Sequence, residues 1–378
     1  MIVKNNYNEC ITNLACSIEK YFSLIPKHNS LPDIDDLLKK QCPENVIVIL
    51  LDGLGSRILN RTLEKESFLR KHMYKEITTV FPATTTAATM SLRTGLNPVE
   101  HGWLGWNTYI KPIDKTITLF RNTEKGKETI DTDFLTAKNK LASETITDKI
   151  NKVGEHSSIE LFPFGEKSYQ DLDDMLNRIK QETKKPGKKY IYAYDIEPDY
   201  TMHDFGPDSK EVKKLIQLRN DKIEKFCEDL SNSIVFVIAD HGHKVVDPIY
   251  FDDYKELSMM LERTPSIEQR AVSFKVKEAK KKQFYKEFTK QFSNDFKLYS
   301  KEAVINSQLF GDGIPNELFE PALGDFIALA EESSKCIVTA DDYKLYSQHA
   351  GYSDDEVYIP LIVIDKSKNQ GNISKVKQ

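Results

Sequence analysis

The sequence predicts an α/β fold, a three-layer sandwich with a largely parallel central sheet and a small α+β cap inserted late in the chain. Three observations predict it. Residues 46–51, Val-Ile-Val-Ile-Leu-Leu, form a continuous apolar run. A strand without polar alternation has to be covered on both faces, as a central parallel strand between helices is. A strand pattern over 190–194, a helical pattern over about 209–231 and a strand pattern over 234–239 then follow one another as a βαβ unit. The runs 46–51 and 234–239 also lead straight into acids, Asp52 and Asp240. Open α/β sheets keep their active sites at that end of the strands.

In chain order, Tyr7, Ile11, Leu14, Ile18 and Phe22 recur at helical spacing and predict an amphipathic N-terminal helix. Pro26 and Pro32 punctuate a loop before a short second helix over 34–40. The first strand ends in Asp52-Gly53-Leu54-Gly55, whose glycines form neither a GxxxxGK[ST] nor a GxGxxG motif. Residues 77–107 carry a β-branched run, a Phe81-Pro82 break, and Thr84, Thr85, Thr86 and Thr89 among Ala83, Ala87 and Ala88. The proline stops the strand, and the small residues let a helix begin close behind it. Residues 108–188 are polar and weakly patterned. Alternation over 270–277, a Lys-rich amphipathic helix over 278–292 and a strand over 296–300 read as the cap, residues 253–320, within one domain spanning 1–378. Residues 323–330 and 335–339 are expected to pair as a hairpin. A last strand covers 358–364, and the terminal SKNQGNISKVKQ reads as disordered.

Composition narrows the function. With 39% hydrophobic and 29% charged residues, the 378-residue chain can bury a large core beneath a soluble surface. A net charge of −5, and the lack of a basic stripe with interleaved aromatics, argue against nucleic-acid binding. The Lys-rich helix reads as a solvated face of the cap. Five widely spaced cysteines without a CxxC pair read as reduced thiols. The N-terminal stretch has no apolar leader, and no run approaches the roughly 18 apolar residues of a membrane span. A cytoplasmic, non-membrane protein is the expectation; the oligomeric state stays open.

Four stretches carry chemistry. A hydroxyl at a strand-to-helix corner has the helix N-terminus behind it, where free N–H groups favour the charge that develops when a nucleophile attacks phosphorus. Taken alone, the same threonines also read as N-caps. Asp199 and His203 stand four apart, so one helical turn directs both to one metal. Asp240 and His241 adjoin at a strand end, and His349 lies in a loop beside glycine. Three carboxylates and three imidazoles suit two Zn²⁺ or Mn²⁺ sites rather than thiolate sites. Two such cations about 4 Å apart clamp the attacking and leaving oxygens of a phosphoryl group. Among the other histidines, His28 and His72 are expected to be solvated, His156 to lie in a loop and His101 to support a turn. His243 reads equally as a partner of a ligand or as an exposed residue.

In this order, LLDGLG, VFPATTTAATMSLRTGLNPVEHG, EPDYTMHDFGP, IADHGH and SQHAGY resemble the alkaline phosphatase superfamily. Within it they resemble the type I phosphodiesterase/nucleotide pyrophosphatase family, over residues 50–352. The resemblance implies an alkaline-phosphatase-like sandwich and a hydrolase of phosphoric esters with two divalent metal ions, Zn²⁺ first and Mn²⁺ second. Asp52, Thr85, Asp240 and His241 match the ligands of one metal; Asp199, His203 and His349 match those of the other. Counting back from Thr94-Gly95 places the family's nucleophile at Thr85. The chain departs from the family there, with Thr86-Ala87-Ala88 in place of Phe-Pro-Asn, so Thr84 and Thr86 stay open. Asn107, one residue off the family spacing, is the implied donor to a non-bridging phosphate oxygen. Trp103, Trp106 and Tyr109 either stack on a planar substrate group or form a buried cluster.

The implied mechanism is double displacement through a phospho-threonine, on a small-molecule phosphoester. Arg93 is the one arginine near the nucleophile, and eight residues along the helix it is expected to point elsewhere. That favours phosphodiesters and nucleotide pyrophosphate bonds over monoesters, which want an extra cation. Phosphonate hydrolysis uses the same ligands. A non-catalytic binding protein on this scaffold is the alternative of another class, disfavoured because the ligand set is complete.

Overall fold

The computed structural model describes residues 4–128, 141, 143–165 and 168–367; of the C-terminal stretch read as disordered, residues 368–378 lie outside them. The chain lays down β1 (Asn45–Leu51) and β2 (Met73–Thr78), then β3 (Asn107–Ile110), β4 (Lys115–Thr118) and β5 (Thr123–Glu124). Next come β6 (Ser157–Leu161), β7 (Lys189–Asp195), β8 (Ser233–Ile238), β9 (Lys244–Val245) and β10 (Asp247–Tyr250). The last are β11 (Ser266–Ile267), β12 (Ala271–Phe274), β13 (Lys297–Ser300), β14 (Phe326–Leu329), β15 (Lys335–Val338), β16 (Ser347–Gln348) and β17 (Tyr358–Lys366).

The first sheet has the order β2-β17-β8-β1-β7-β6. Strands β8, β1, β7 and β6 pair in parallel, and β17 runs antiparallel to both its neighbours. All but β17 therefore point the same way. Every residue of β1, β7 and β8 is buried, the burial that continuous apolar runs require. Each aliphatic side chain so placed contributes about 1.5–3 kcal/mol relative to exposure. The helix Ile11–Tyr21 packs Ile11, Leu14 and Ile18 into the same core as Ile47, Ile49, Ala87 and Leu92. The helices Pro32–Gln41 and Lys210–Glu228 lie close to the spans the periodicity predicts.

The second sheet is antiparallel, with order β13-β14-β12-β11-β3-β4-β5. Residues 253–320 supply β11, β12 and β13, and these join strands from 107–124 and 326–329 in one sheet. The weakly patterned stretch 108–188 holds β4, β5, β6 and the helices Ile146–Val153 and Leu172–Thr183. Its strands are short and only partly buried, which is why alternation did not mark them. The expected hairpin over 323–339 does not form. Strand β14 is buried throughout and takes β12 and β13 on its two edges, so it has no edge left for β15. Strand β15 pairs in parallel with β10 instead. Among the described residues no helix is long and apolar enough to cross a membrane. All five cysteines are free.

Candidate active site

Because β1 and β8 are parallel neighbours in register to Leu50 and Ile238, the acids that follow them come side by side. The Gly53 N–H donates to Asp240 Oδ1 at 3.0 Å. Gly53 has φ +73°, and a Cβ there would lie 2.7 Å from Met202 Cε and 3.0 Å from Asp199 Cβ, so only glycine fits the turn. At Gly242 a Cβ would fall 1.8 Å from the Asp355 carbonyl oxygen. His241 donates from Nδ1 to its neighbour's carbonyl, Gly242 O, at 3.0 Å, which leaves the Nε2 lone pair facing inward. That Nε2 lies 3.4 Å from Asp52 Oδ1, 3.6 Å from Asp240 Oδ2 and 3.1 Å from Thr85 Oγ1.

Thr85 is the first residue of the helix Thr85–Thr94, with Thr84 as its N-cap. The three neighbouring threonines part ways here. Thr85 lines the cavity and meets His241, Thr84 donates its hydroxyl to Glu268 Oε1 at 2.5 Å, and the Thr86 hydroxyl is buried without a partner. Arg93, as expected, points elsewhere: its guanidinium binds both carboxylate oxygens of Glu160, at 3.0 and 2.6 Å.

A second group forms around the helix Asp199–Phe205. One turn apart, His203 Nε2 and Asp199 Oδ2 are 3.2 Å from each other, and His203 donates from Nδ1 to Ser347 O at 2.8 Å. His349, just after β16, brings Nε2 to 3.9 Å from Asp199 Oδ1. The Asp199 N–H donates to Asp52 O at 3.0 Å, and the His241 and His349 rings stack with centroids 3.9 Å apart, so the two groups adjoin. Within Asp52-Asp240-His241, and within Asp199-His203-His349, the candidate ligand atoms lie within 4.8 Å of one another. His243 is fully buried here: Nε2 donates to Asp199 Oδ1 at 2.9 Å, and Nδ1 lies 2.8 Å from Ser347 Oγ.

The donor set fits cations. Asp52 Oδ1 and Asp240 Oδ2 are buried carboxylate oxygens without a hydrogen-bond partner, a costly state that a bound cation relieves. Burial, then the charges of Asp240 and Asp199, hold the Asp52 carboxyl well above its usual range. Burial raises Asp240 as well. Burial works against the Asp199 charge too, but His203 and His243 outweigh it and hold that carboxyl well below its usual range. His349 is pushed well down, by burial first and then by His241. A neutral imidazole is the form that binds metal.

Thr85, Asp199, His203 and His349 border a cavity of about 550 Å³ that also takes in Trp106, Asn107 and Glu268. Asn107 heads β3, and its Oδ1 accepts from the Thr118 hydroxyl at 2.7 Å, which leaves the Nδ2 donors for a ligand. Trp106 stacks on Phe120, with centroids 5.8 Å apart. Trp103 is buried, donating to Leu141 O, and Tyr109 packs under Arg263. Of the cationic side chains on the cavity wall, Lys125 pairs with Asp342 at 3.0 Å and Lys127 with Glu124 at 2.7 Å. Arg121, an arginine the sequence reading did not count, donates to the neutral Tyr343 hydroxyl at 2.6 Å.

Glu268 escaped the sequence reading, because a lone acid in SIEQR carries no signal. Its Oε1 accepts from the Thr84 hydroxyl and, at 2.7 Å, from the Trp106 N–H, and burial pushes its carboxyl up to about 7. Ile267, just before it, holds φ +75°, a left-handed conformation that a β-branched residue rarely adopts and that costs about 1–3 kcal/mol. Ala350, just after His349, holds φ +74°. His28, expected to be solvated, is half-buried against Glu100 at 2.5 Å. His72 is also half-buried, with Nδ1 donating to Phe68 O at 2.9 Å. His101 supports its turn, with Nδ1 accepting the Trp103 N–H at 3.1 Å.

Known proteins show the family and the fold of this chain. Residues 46–352 match the profile of the family described as type I phosphodiesterase / nucleotide pyrophosphatase. No curated protein sequence is matched. Among solved structures the chain is similar to murine ectonucleotide pyrophosphatase/phosphodiesterase 5 in an inactive form complexed with AMP, with a TM-score of 0.64 at 19% identity. The match covers 84% of this chain and 87% of that one. The human counterpart gives a TM-score of 0.63 at 17% identity, with the same coverage.

Proposed function

Because the chain belongs to the type I phosphodiesterase/nucleotide pyrophosphatase family and is a phosphoester hydrolase, we propose that it cleaves phosphodiester or nucleotide pyrophosphate bonds through a phospho-threonine intermediate on Thr85. The observation that carries this reading is the Thr85 hydroxyl. It stands at a helix start, 3.1 Å from His241 Nε2 of one ligand group, and lines the cavity that Asp199, His203 and His349 of the other group border.

Asp52, Asp240 and His241, with Thr85, would hold one divalent ion, and Asp199, His203 and His349 the other. Mixed nitrogen and oxygen donors suit Zn²⁺, with Mn²⁺ the alternative. When bound, such ions supply charge neutralisation at the attacking and leaving oxygens. The protein's own groups do the rest. The Thr85 hydroxyl attacks phosphorus in line and the ester oxygen opposite departs; water then cleaves the phospho-threonine and restores the hydroxyl. The free N–H groups of the helix start and the Asn107 Nδ2 donors face the non-bridging oxygens, whose charge grows in the transition state. His203 and His241 are each fixed by a carbonyl on Nδ1, so Nε2 is oriented before any substrate arrives.

The diester preference rests on Lys125 and Lys127 of the cavity wall being paired with Asp342 and Glu124. Arg121, whose partner is the neutral Tyr343 hydroxyl, keeps its charge and is the residue through which a monoester would bind. AMP in the murine relative suggests a nucleotide product for this chain too, with Trp106 offering a stacking face. Residues 253–320, read as a cap, would then supply the wall that carries Glu268. Hydrolysis of bis-p-nitrophenyl phosphate beside p-nitrophenyl phosphate, with Zn²⁺ and with Mn²⁺, tests the reading. Faster diester hydrolysis supports it, and faster monoester hydrolysis moves the protein to the phosphatases. Hydrolysis of neither by metal-loaded protein points to phosphonates.

A further inference from the structure

We propose that Glu268 is a specificity-determining residue, whose carboxylate faces the phosphoryl position and selects singly charged phosphodiesters by opposing the second charge of a monoester. This rests on the hydrolase reading of the same site. The argument is first one of place. Glu268 Oε1 accepts from Thr84 and from the Trp106 N–H, and these residues stand immediately before Thr85 and Asn107. The carboxyl is thereby bracketed between the attacking hydroxyl and the amide that would meet a phosphoryl oxygen. Both bonds end on Oε1, which leaves Oε2 to the cavity shared by Thr85, Asn107, His203 and His349.

The second argument is that the placement is enforced. Ile267 pairs with Asn107 across β11 and β3, which fixes Glu268 beside the Trp106–Asn107 backbone. Gly105 packs so closely there that a Cβ would lie 2.7 Å from Ile267 O. The left-handed φ of Ile267 is kept in spite of its branched side chain, as strained residues at functional sites are.

The third argument is charge. Glu268 belongs to neither candidate ligand group, and both its bonds come from uncharged donors. A carboxylate whose own hydrogen bonds come from neutral donors, next to the place of an anion, raises the cost of binding in proportion to the anion's charge. A phosphomonoester dianion meets about twice the repulsion that a diester monoanion does.

Glu268→Gln is the discriminating variant. The amide oxygen can still accept from Thr84 and Trp106, and the volume is nearly unchanged, while the charge is gone. The metal-loaded protein is assayed at a pH well above the value of about 7 to which burial raises the Glu268 carboxyl, so that the wild-type group is charged. There we expect the ratio of kcat/KM for bis-p-nitrophenyl phosphate over p-nitrophenyl phosphate to fall about tenfold, mainly by a gain on the monoester. Bound metal, measured by elemental mass spectrometry, should stay at the wild-type level. An unchanged ratio, whether or not both rates decline, overturns the proposal, as does loss of metal from the variant. A readout free of turnover is the binding of inorganic phosphate followed by calorimetry, which should tighten about tenfold in Glu268→Gln. Because phosphate binding needs no hydrolysis, it decides the role of Glu268 even if wild type hydrolyses neither ester. Equal phosphate affinity in the two proteins refutes it.

Discussion

The two walls of the cavity are built in opposite ways. On one, the acids and imidazoles stand at or just beyond the ends of β1, β8 and β16 and on one short helix. All of these donors but His349, which follows the two-residue strand β16, are placed by segments whose own pattern fixes their conformation. The facing wall carries Asn107 at the head of β3 and Glu268 after β11, a strand of only two residues. Those side chains meet because short strands from distant parts of the chain pair, Ile267 against Asn107. The first wall is organised to hold charge, and the second to hold a substrate against it. Substitutions in the first should therefore change metal content, and substitutions in the second should leave it alone.

Thr85 lies where the walls meet and should give the largest effect. Thr85→Ala should cut turnover at least roughly 10³-fold while keeping both ions, read by steady-state kinetics and elemental analysis. If Thr85→Ala stays active and Thr84→Ala does not, the nucleophile has been placed one residue too far along. Asp240→Asn probes the first wall alone. It sits in a cluster of buried carboxylates with an unpartnered oxygen, so metal content and activity should fall together, activity by roughly 10²-fold. Full metal occupancy in that variant would remove Asp240 from the ligand set.

Asn107→Ala probes the second wall. Loss of one preorganised donor to a developing oxyanion lowers kcat by about 10²-fold. Metal content should not move, and if it does, the separation between the walls fails. The comparison also explains what was legible in the sequence. The strands 46–51, 190–194 and 234–239 could be read because burial on both faces leaves no polar residue to break the run. Asp52, Asp240, His241, Asp199 and His203 could be read because they follow those runs or stand one helical turn apart. His349, in a loop beside glycine, has no such pattern and is matched to a metal only through the family resemblance. Strands β12, β13 and β14 of the second sheet fall within stretches that read as strands. Strands β3, β4, β5 and β11, of two to four residues, are too short to show a period, so that half of the sheet and Glu268 stayed hidden. The hairpin over 323–339 failed for a different reason: both strands form, but long-range partners on both edges of β14 override the pairing that adjacency in sequence suggests.

His243 stood undecided between partner and exposed residue, and its place behind Asp199 gives the smallest and most selective prediction. It does not reach into the cavity; it donates to the carboxylate oxygen that faces His349 while its other nitrogen meets Ser347. A buried histidine with two such contacts could also be no more than a satisfied piece of the core. The two roles separate in what they disturb. If His243 orients Asp199, His243→Gln should weaken metal binding at the Asp199-His203-His349 group by about 10–100-fold and leave the Asp52-Asp240-His241 group unchanged. Competition against a chromophoric chelator resolves two affinities, and only the weaker-held ion should be lost early. Equal weakening of both ions, or a drop in Tm of the metal-free protein with no change in either affinity, would make His243 a packing residue and confine the metal-holding wall to the six acids and imidazoles with Thr85.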